Sequence, residues 1–358
     1  MKKEIIFCTD SLNIGGIELA LIRILKALAK TNKFTIKLCI KDDEKLDLLS
    51  EIPKEVEYTV LNKESDKKYI FNFIKRVIER KRFFDFIKNS DVVIDYYDGN
   101  WFKLFSNINK QKKIVFFHTI LEKLHIYKRI DIVKNIYDEY IVLTNGAKKE
   151  LLDIGILENK IKKIYNIIPI DEILIKAEEK FEKEDEYFVM IGRLVNDSKD
   201  YLTVVEAFAN SEIKENLYIV GDGPYKNQLD MKIKELNLES KVKLLGSKTN
   251  PYPILKNSKG LILSSKYEGL SNVILEALVL EKPVIATNCP YGPKEILGKE
   301  QNIGVLFTTG DKVELINILK DFDLKKFDTL KMKNRVKDFS EENILKEIVE
   351  SLIKKEIC

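Results

Sequence analysis

The chain of 358 residues is long enough for two domains of ordinary size, each able to bury its own core without a disulfide or a metal. Its 61 lysines and arginines nearly balance 57 aspartates and glutamates, so the formal net charge of +4 does not indicate a nucleic-acid partner. Four scattered cysteines and two histidines exclude a structural zinc site and favour a reduced, cytoplasmic compartment. No stretch approaches the ~18 apolar residues of a membrane span, so we expect a soluble protein or one that lies on a membrane.

Short apolar runs alternate with longer segments of helical periodicity along the whole chain. This alternation is typical of βαβ units whose parallel sheet is buried on both faces. The first series of predicted strands comprises Glu4–Cys8, Phe34–Ile40, Val56–Leu61, Asp91–Asp95, Ile114–His118, Tyr140–Leu143 and Lys162–Tyr165. The second series comprises Tyr187–Ile191, Leu217–Val220, Val242–Leu245, Leu261–Ser264, Val284–Ala286 and Val305–Phe307.

Two doubly wound α/β domains in tandem follow from these two series. We place the first domain at residues 1–175 and the second at 187–339, joined by the charge-dense stretch 176–186, which cannot bury itself and is predicted to be a linker. Residues 340–358 are predicted to form a last helix that crosses back to the first domain. Ligands of such sheets bind beyond the carboxyl ends of the strands, so two domains facing each other would form an interdomain cleft.

The most informative motif is KYEGLSNVILEA, residues 266–277, which follows a predicted strand and opens a helix. Gly269 allows close approach of a ligand, and the helix N-terminus near Asn272 offers free N–H groups to an anion such as a diphosphate. Glu276 lies one helical turn further and can accept two hydrogen bonds from the vicinal hydroxyls of a ribose. The alternative is that Glu268 caps a turn and Glu276 is a solvated helix residue.

This motif resembles the retaining glycosyltransferases of family 4, in which two glutamates separated by seven residues follow the same strand and a glycine follows the first. The resemblance extends over most of the chain and implies the GT-B fold, with two Rossmann-like domains facing an interdomain cleft. It implies that the second domain binds a nucleoside-diphosphate sugar, with Glu276 on the ribose and Glu268 on the sugar hydroxyls. The backbone after Glu268 would also contact the donor, at Gly269, Leu270, Ser271 and Asn272.

Two glycine-containing loops resemble further parts of the family's site. Gly15 and Gly16, between the first strand and the first helix, match the loop that approaches the donor phosphate and the acceptor, although a plain turn is the alternative. Gly221 and Gly223 follow the second strand of the second domain, but the third glycine of the dinucleotide fingerprint is missing, so a dehydrogenase motif is not completed. In the family this loop lines the nucleotide pocket, and Leu245 at the next strand end meets the base through backbone groups.

Three polar side chains complete the implied site. Arg193 and Lys199 resemble the family's pair of cations that binds the donor diphosphate. Two cations there would stabilise the negative charge of the departing diphosphate. The alternative for Lys199 is that it is an exposed loop residue. His118 ends a predicted strand where the family places a functional histidine near the sugar and the acceptor, although a structural histidine is the alternative. The DxD sequence at residues 321–323 lies in a charged helical tail, which disfavours a metal-dependent transferase.

The segment 67–88 interleaves lysines and arginines with phenylalanines and isoleucines. Such a basic amphipathic helix could lie on an anionic membrane, or it could pack its phenylalanine face on the first-domain sheet and leave a solvated basic face. Nothing in the chain resembles a groove-reading or base-stacking module, so no nucleic-acid partner is expected.

We therefore predict a retaining, metal-independent glycosyltransferase of the hexosyltransferase class that moves a sugar from a nucleoside-diphosphate sugar to an acceptor hydroxyl. The segment 289–296, CPYGPKEI, resembles a family variant of bacterial surface-polysaccharide enzymes, which favours a lipid-linked or growing surface glycan as acceptor. No cofactor is expected, because the sugar nucleotide is the donor substrate. A cytoplasmic location, or the inner face of the cytoplasmic membrane, is consistent with this function. The alternatives are a sugar-nucleotide 2-epimerase of GT-B architecture and a non-catalytic sugar-nucleotide-binding protein.

Overall fold

The chain forms two compact units in the computed structural model, Met1–Ile167 with Glu341–Cys358, and Ile168–Ser340. The change of unit comes before the predicted boundary at residue 175, because the helix Ile170–Lys176 packs on helices of the second unit with Ile173 fully buried. The C-terminal helix Glu341–Ile353 belongs to the first unit. The structure describes residues 2–44, 46–63, 72–119, 130–182, 185–195, 198–298 and 302–353.

The first unit is built on a parallel sheet of seven strands in the order β3-β2-β1-β4-β5-β6-β7. Its strands are β1 Lys3–Thr9, β2 Phe34–Asp42, β3 Glu57–Asn62, β4 Val92–Asp95, β5 Lys112–Phe117, β6 Glu139–Val142 and β7 Ile161–Lys163. Its helices are α1 Gly16–Thr31, α2 Asn72–Ile87, α3 Phe102–Phe105, α4 Ile130–Val133, α5 Asn145–Asp153 and α14 Glu341–Ile353.

Both faces of this sheet carry a hydrophobic core, because successive side chains of a strand point to opposite faces. Ile5 and Phe7 of β1 belong to a cluster that includes buried residues of α1 and α14. Ile6 and Cys8 of the same strand belong to a second cluster that includes residues of α2, α3 and α5. The central strands are therefore almost continuously apolar, which is why they could be predicted from the sequence.

The second unit has a parallel sheet of six strands in the order β10-β9-β8-β11-β12-β13. Its strands are β8 Tyr187–Ile191, β9 Asn216–Val220, β10 Val242–Gly246, β11 Gly260–Leu263, β12 Val284–Thr287 and β13 Gly304–Phe307. Its helices are α6 Ile170–Lys176, α7 Tyr201–Ser211, α8 Lys226–Glu235, α9 Tyr252–Lys256, α10 Asn272–Val279, α11 Gly292–Leu297, α12 Lys312–Lys320 and α13 Thr329–Lys337.

Each sheet reverses its strand order once, between β1 and β4 in the first unit and between β8 and β11 in the second. At such a switch point the loops leaving two neighbouring strands diverge and leave a crevice at the carboxyl ends, where ligands of open α/β sheets bind. The predicted fold class of two doubly wound, Rossmann-like domains is confirmed.

The predicted basic segment 67–88 corresponds largely to α2, and its residues 67–71 lie outside the described part of the chain. Phe83 is fully buried in the first-unit core, as the packing alternative requires. Ile74 and Val77 are exposed by 42% and 51%, respectively. The described part of α2 therefore has a packed face and an exposed face that carries apolar residues. Among the described residues, no helix is long and apolar enough to cross a bilayer.

Candidate active site

In the second unit, the loop that leaves β8 runs back along the end of β11. Lys199 forms an isolated antiparallel bridge with Ser265, the Lys266 N–H donates to the Ser198 carbonyl at 2.8 Å, and the Asp200 N–H donates to the Ser264 carbonyl at 3.2 Å. These backbone contacts fix the loop across the switch point. They bring Lys199 beside the start of the predicted glutamate motif.

Lys199 and Glu268 form an ion pair through Nζ and Oε1. Their side chains are 21% and 12% exposed, so the pair is largely removed from water. The Ser265 hydroxyl accepts a hydrogen bond from Lys199 Nζ at 3.0 Å and donates one to Glu268 Oε1 at 2.5 Å. Sequence reasoning missed Ser265, although its position three residues before Glu268, directly after a buried strand, is a usable signal.

The loop that follows Glu268 has an unusual backbone conformation at the start of α10. Ser271 is in the left-handed region with φ of 68°, and its hydroxyl does not cap the helix. The Ser271 Oγ is buried and has no hydrogen-bond partner in the described structure. Gly292 donates its N–H to the Gly269 carbonyl at 3.0 Å, and a Cβ at position 292 would lie 2.3 Å from that oxygen. A strained residue and an orphan hydroxyl at a helix start are features that often accompany a binding site.

Close packing of the backbone explains why the loop after β9 contains glycines, and the sequence did not reveal this packing. Gly221 and Gly223 have φ of 146° and 157°, and a Cβ on them would lie 1.9 Å from the Gly192 carbonyl oxygen and 2.4 Å from the Leu194 carbonyl oxygen. Only glycine allows this loop to pack against the loop after β8. The packing accounts for both glycines without a ligand, so their predicted role in the nucleotide pocket stays a prediction.

The other predicted donor-binding residues lie around the same edge of the second sheet. Arg193 is the second residue after β8 and is exposed. Glu276 lies on α10 and is half-buried. Leu245 lies at a bulge, where the register of β10 with β9 shifts between Leu244 and Gly246. Leu270, between Gly269 and Ser271, is buried.

In the first unit, the predicted glycine loop begins α1. Gly15 precedes the helix in an extended conformation, and a Cβ there would lie 2.4 Å from Glu18 Oε2. Ser11 donates its hydroxyl hydrogen to Glu18 Oε1 at 3.4 Å, so a carboxylate already lies against the positive end of the helix. A Cβ on Gly16 would meet nothing within 4 Å. Because the Glu18 carboxylate would repel a phosphate beside Gly15, Gly16 is the more open position for a ligand.

His118 directly follows β5, which pairs with β4, and is 7% exposed. Its Nε2 lies 3.0 Å from the Tyr96 carbonyl oxygen, and its backbone N–H donates to Asp98 Oδ1 at 2.6 Å. Burial lowers the pKa of His118 to about 4, and the hydrogen bond to the Tyr96 carbonyl opposes this shift. The imidazole is therefore neutral at physiological pH.

Two buried carboxyl groups follow β4: Asp95 at the end of the strand, and Asp98, which bonds the His118 backbone. Asp95 Oδ2 accepts hydrogen bonds from the Tyr137 hydroxyl at 2.6 Å and the Trp101 N–H at 3.0 Å. Burial raises the pKa of Asp95 and of Asp98 to about 7 in each case, against the hydrogen bonds that each accepts. The sequence analysis assigned no role to either residue, although Asp95 ends the central strand β4 and Asp98 lies in the loop that follows it.

No group of three or more metal-binding side chains occurs in the described part of the chain. The two aspartates of the DxD sequence have structural roles instead. The Asp321 N–H donates to the Asn317 carbonyl at the end of α12, and Asp323 accepts from the Lys325 N–H at 2.9 Å. This DxD is therefore part of a helix end and a turn.

Comparison with known families identifies the second unit. The sequence model named "Glycosyl transferases group 1" matches residues 171–339, almost the whole of that unit. The second domain belongs to this family. The predicted resemblance to family 4 glycosyltransferases is thereby confirmed.

Individual relatives extend the similarity to the first domain. An N-acetylgalactosaminyltransferase of Campylobacter jejuni, named for a diphospho-undecaprenol substrate, is 26% identical over 96% of this chain and 97% of its own length. An uncharacterized glycosyltransferase of Methanocaldococcus jannaschii is 36% identical over 182 residues, 47% of this chain and 44% of that relative's length. The solved structure of Anabaena HepE with UDP and glucose has a TM-score of 0.80 at 21% identity, covering 98% of this chain and 99% of that one. The structural likeness confirms the GT-B fold class.

Proposed function

We propose that the protein is a retaining, metal-independent glycosyltransferase that transfers a sugar from a nucleoside-diphosphate sugar to a hydroxyl of a lipid-linked or growing surface glycan. The observation that carries this proposal is the cluster of Lys199, Ser265 and Glu268 at the switch point of the second sheet, inside the region that matches the family. The Anabaena neighbour contains UDP and glucose, which supports a sugar-nucleotide donor. The name of the Campylobacter relative supports a lipid-linked acceptor.

Lys199 can serve both the sugar and the diphosphate. A lysine ammonium group has three hydrogens to donate, and in this structure two of them are directed to Ser265 and Glu268. The third is available for a phosphate oxygen. Glu268 would accept hydrogen bonds from sugar hydroxyls, and its orientation is held by the lysine and the serine. Arg193 and the start of α10 would bind the rest of the diphosphate, and Glu276 would bind the ribose.

The reaction breaks the bond between the anomeric carbon and the diphosphate oxygen and forms one between that carbon and the acceptor oxygen. Negative charge grows on the departing diphosphate, so Arg193 and Lys199 stabilise the transition state more than the ground state. The proton of the acceptor hydroxyl passes to the departing phosphate on the same face of the sugar. No pair of carboxylates acting as nucleophile and acid is required. No metal is needed for this role, since the two side chains supply the positive charge.

A panel of mass-tagged sugar nucleotides, with and without a polyprenol-diphosphate glycan acceptor and with excess chelator, tests this function. We expect one donor to be consumed, the new linkage to keep the anomeric configuration of the donor, and the rate to survive the chelator. An isomerised donor would indicate the 2-epimerase, and binding without consumption would indicate a sensor. Loss of activity that magnesium or manganese restores would contradict the metal-independent site.

The exposed face of α2 is proposed to contact the anionic inner face of the cytoplasmic membrane. Arg76, Arg80 and Lys81 are exposed on the same helix as the apolar Val77. Each basic residue near such a surface contributes about 1 kcal/mol at most, so several act together. Replacing the three cations by Gln should lower co-sedimentation with anionic vesicles. Arg82 is left unchanged because it donates to the Leu61 carbonyl at 2.6 Å. Absence of salt-sensitive vesicle binding by the wild type would contradict this contact.

A further inference from the structure

Lys199 and Ser265 form an antiparallel pair of the kind that is not itself hydrogen-bonded. The two backbone hydrogen bonds of their bridge are made by the residues on either side of each partner. In such a pair the side chains come closer than in a hydrogen-bonded pair, and the partners' own N–H and C=O groups point away from each other. The side chains of Lys199 and Ser265 can therefore bond, at 3.0 Å, while the Ser265 carbonyl faces away from the loop that carries Lys199.

Thr287, the last residue of β12, supplies the partner for that carbonyl. Its Oγ1 lies 2.5 Å from the Ser265 carbonyl oxygen and 3.5 Å from the Leu263 carbonyl oxygen, and the residue is fully buried. The hydroxyl must donate in both contacts, because a carbonyl oxygen only accepts. The regular pairing of β11 with β12 ends at Leu263 and Ala286, so the Thr287 side chain continues the link between the two strands beyond the last backbone pair. The shorter bond holds the main chain of Ser265 from the side of β12.

The oxygen of the Thr287 hydroxyl has a further hydrogen-bond partner, the side chain of Cys289. Burial raises the pKa of Cys289 to about 11, against the effect of this hydrogen bond, so the thiol is neutral at physiological pH. The single hydrogen of the Thr287 hydroxyl is directed to Ser265, so the thiol is the donor in its bond with Thr287. This second bond helps to keep the threonine hydroxyl in the orientation that serves Ser265.

We propose that Thr287 is a positioning residue of the donor site, which fixes the main chain of Ser265 so that the Ser265 hydroxyl bridges Lys199 and Glu268. That hydroxyl accepts from the lysine and gives its single hydrogen to the glutamate, so its place relative to both groups is narrowly defined. A shift of the Ser265 main chain would move the hydroxyl, and misplacement by about 1 Å can cost on the order of 100-fold in rate. This proposal rests on the proposed function for the role of Lys199 and Glu268 in donor binding.

Two substitutions at position 287 separate the hydroxyl from the volume of the side chain. Thr287→Val replaces the hydroxyl by a methyl group and keeps the β-branched shape, and Thr287→Ser keeps the hydroxyl but loses the methyl group. Cys289→Ala is the matched control, since it removes a buried group beside Thr287 and leaves the bond from Thr287 to Ser265 intact. A purely structural role of Thr287 predicts lower unfolding midpoints without a change in the kinetic constants of the folded protein.

Hydrogen exchange of the ligand-free protein reports directly on the main chain at Ser265. The Asp200 and Lys266 N–H groups donate across the bridge at 3.2 Å and 2.8 Å, so their exchange rates show whether the bridge stays closed. We expect Thr287→Val to speed up exchange of both amides about tenfold relative to the amides of β9, and Thr287→Ser to stay within about threefold of the wild type. Cys289→Ala should also stay within about threefold. Unchanged protection of both amides in Thr287→Val would overturn the proposal.

Transfer kinetics with the donor found in the panel, at a temperature well below the unfolding midpoints, provide the second readout. We expect Thr287→Val to lower kcat/KM roughly 10- to 100-fold, and Thr287→Ser and Cys289→Ala to stay within about threefold of the wild type. In a Ser265→Ala background, Thr287→Val should add less than about threefold, because the hydroxyl through which it acts is absent.

Two kinetic outcomes would contradict this role. Equal losses from Thr287→Val in the wild-type and Ser265→Ala backgrounds would overturn the proposal, as would a loss in Thr287→Ser as large as that in Thr287→Val. If the wild type consumes no donor, the proposed function fails, and the exchange result alone decides whether Thr287 holds Ser265 in place.

Discussion

Ser265→Ala tests whether the Lys199–Glu268 pair is held by the serine hydroxyl. Ser265 is fully buried, and its hydroxyl bonds both charged groups, at 3.0 Å and 2.5 Å. A hydrogen bond to a charged group contributes about 1.5–3 kcal/mol, but the ion pair itself survives the substitution, so we expect a loss of about 2 kcal/mol in all. For a domain of this size the unfolding midpoint should fall by about 4–8 °C.

The neighbouring Ser264 provides a matched control. It is 2% exposed, and its hydroxyl is buried without a hydrogen-bond partner in the described structure. Ser264→Ala removes an unsatisfied group, so its midpoint should stay within about 1 °C of the wild type. Calorimetry of both variants, together with donor titration, makes the comparison; Ser265→Ala alone should weaken donor binding. If Ser264→Ala destabilises as much as Ser265→Ala, the hydroxyl network does not stabilise the site.

Three further outcomes are expected. Glu276→Ala should weaken donor binding by about 2–3 kcal/mol, or roughly 30- to 150-fold, in calorimetry, and an unchanged affinity would make Glu276 a solvated helix residue. Gly221→Ala should unfold the second domain at lower temperature than Gly246→Ala, because a Cβ would lie 1.9 Å from a carbonyl oxygen at the first position and meet nothing within 4 Å at the second. Burial raises the pKa of Asp95 to about 7, so protonation of this carboxyl group stabilises the folded state. This stabilisation is complete below about pH 4 and is lost as the pH rises through about 7. The unfolding midpoint, followed by fluorescence of the single tryptophan Trp101, should therefore be lower at about pH 8 than at about pH 5. Asp95→Asn should reduce this difference. If the wild type and Asp95→Asn show the same pH dependence, the protonation of Asp95 does not contribute to stability.

Local patterns were sufficient to predict the fold class. The central strands of both sheets are short apolar runs because helices cover both faces, and β4 with the sequence VVID is buried at every position. The spacing of Glu268 and Glu276 could also be read directly, since one strand, one loop and one helix carry both residues. Because these features depend only on residues that are close together in the sequence, hydrophobic periodicity and motif spacing were sufficient to predict them.

Contacts between distant parts of the chain could not be predicted in this way. Lys199 and Ser265 are 66 residues apart, and they meet only because β8 and β11 are neighbours in the sheet and the loop after β8 runs along β11. The hydrogen bond of Asp98 with His118 likewise depends on the pairing of β4 with β5, which brings together residues that are 20 positions apart in the chain.

The amino-acid sequence by itself determined two parallel α/β domains and the motif that marks the second as a glycosyltransferase domain. The tertiary structure alone decided which polar groups meet at each switch point and which are left without a partner. The physical reason is that burial and strand order set these properties. A buried Nδ1 on His118 or a raised pKa on Asp95 arises from atoms that are distant in the chain and close in space.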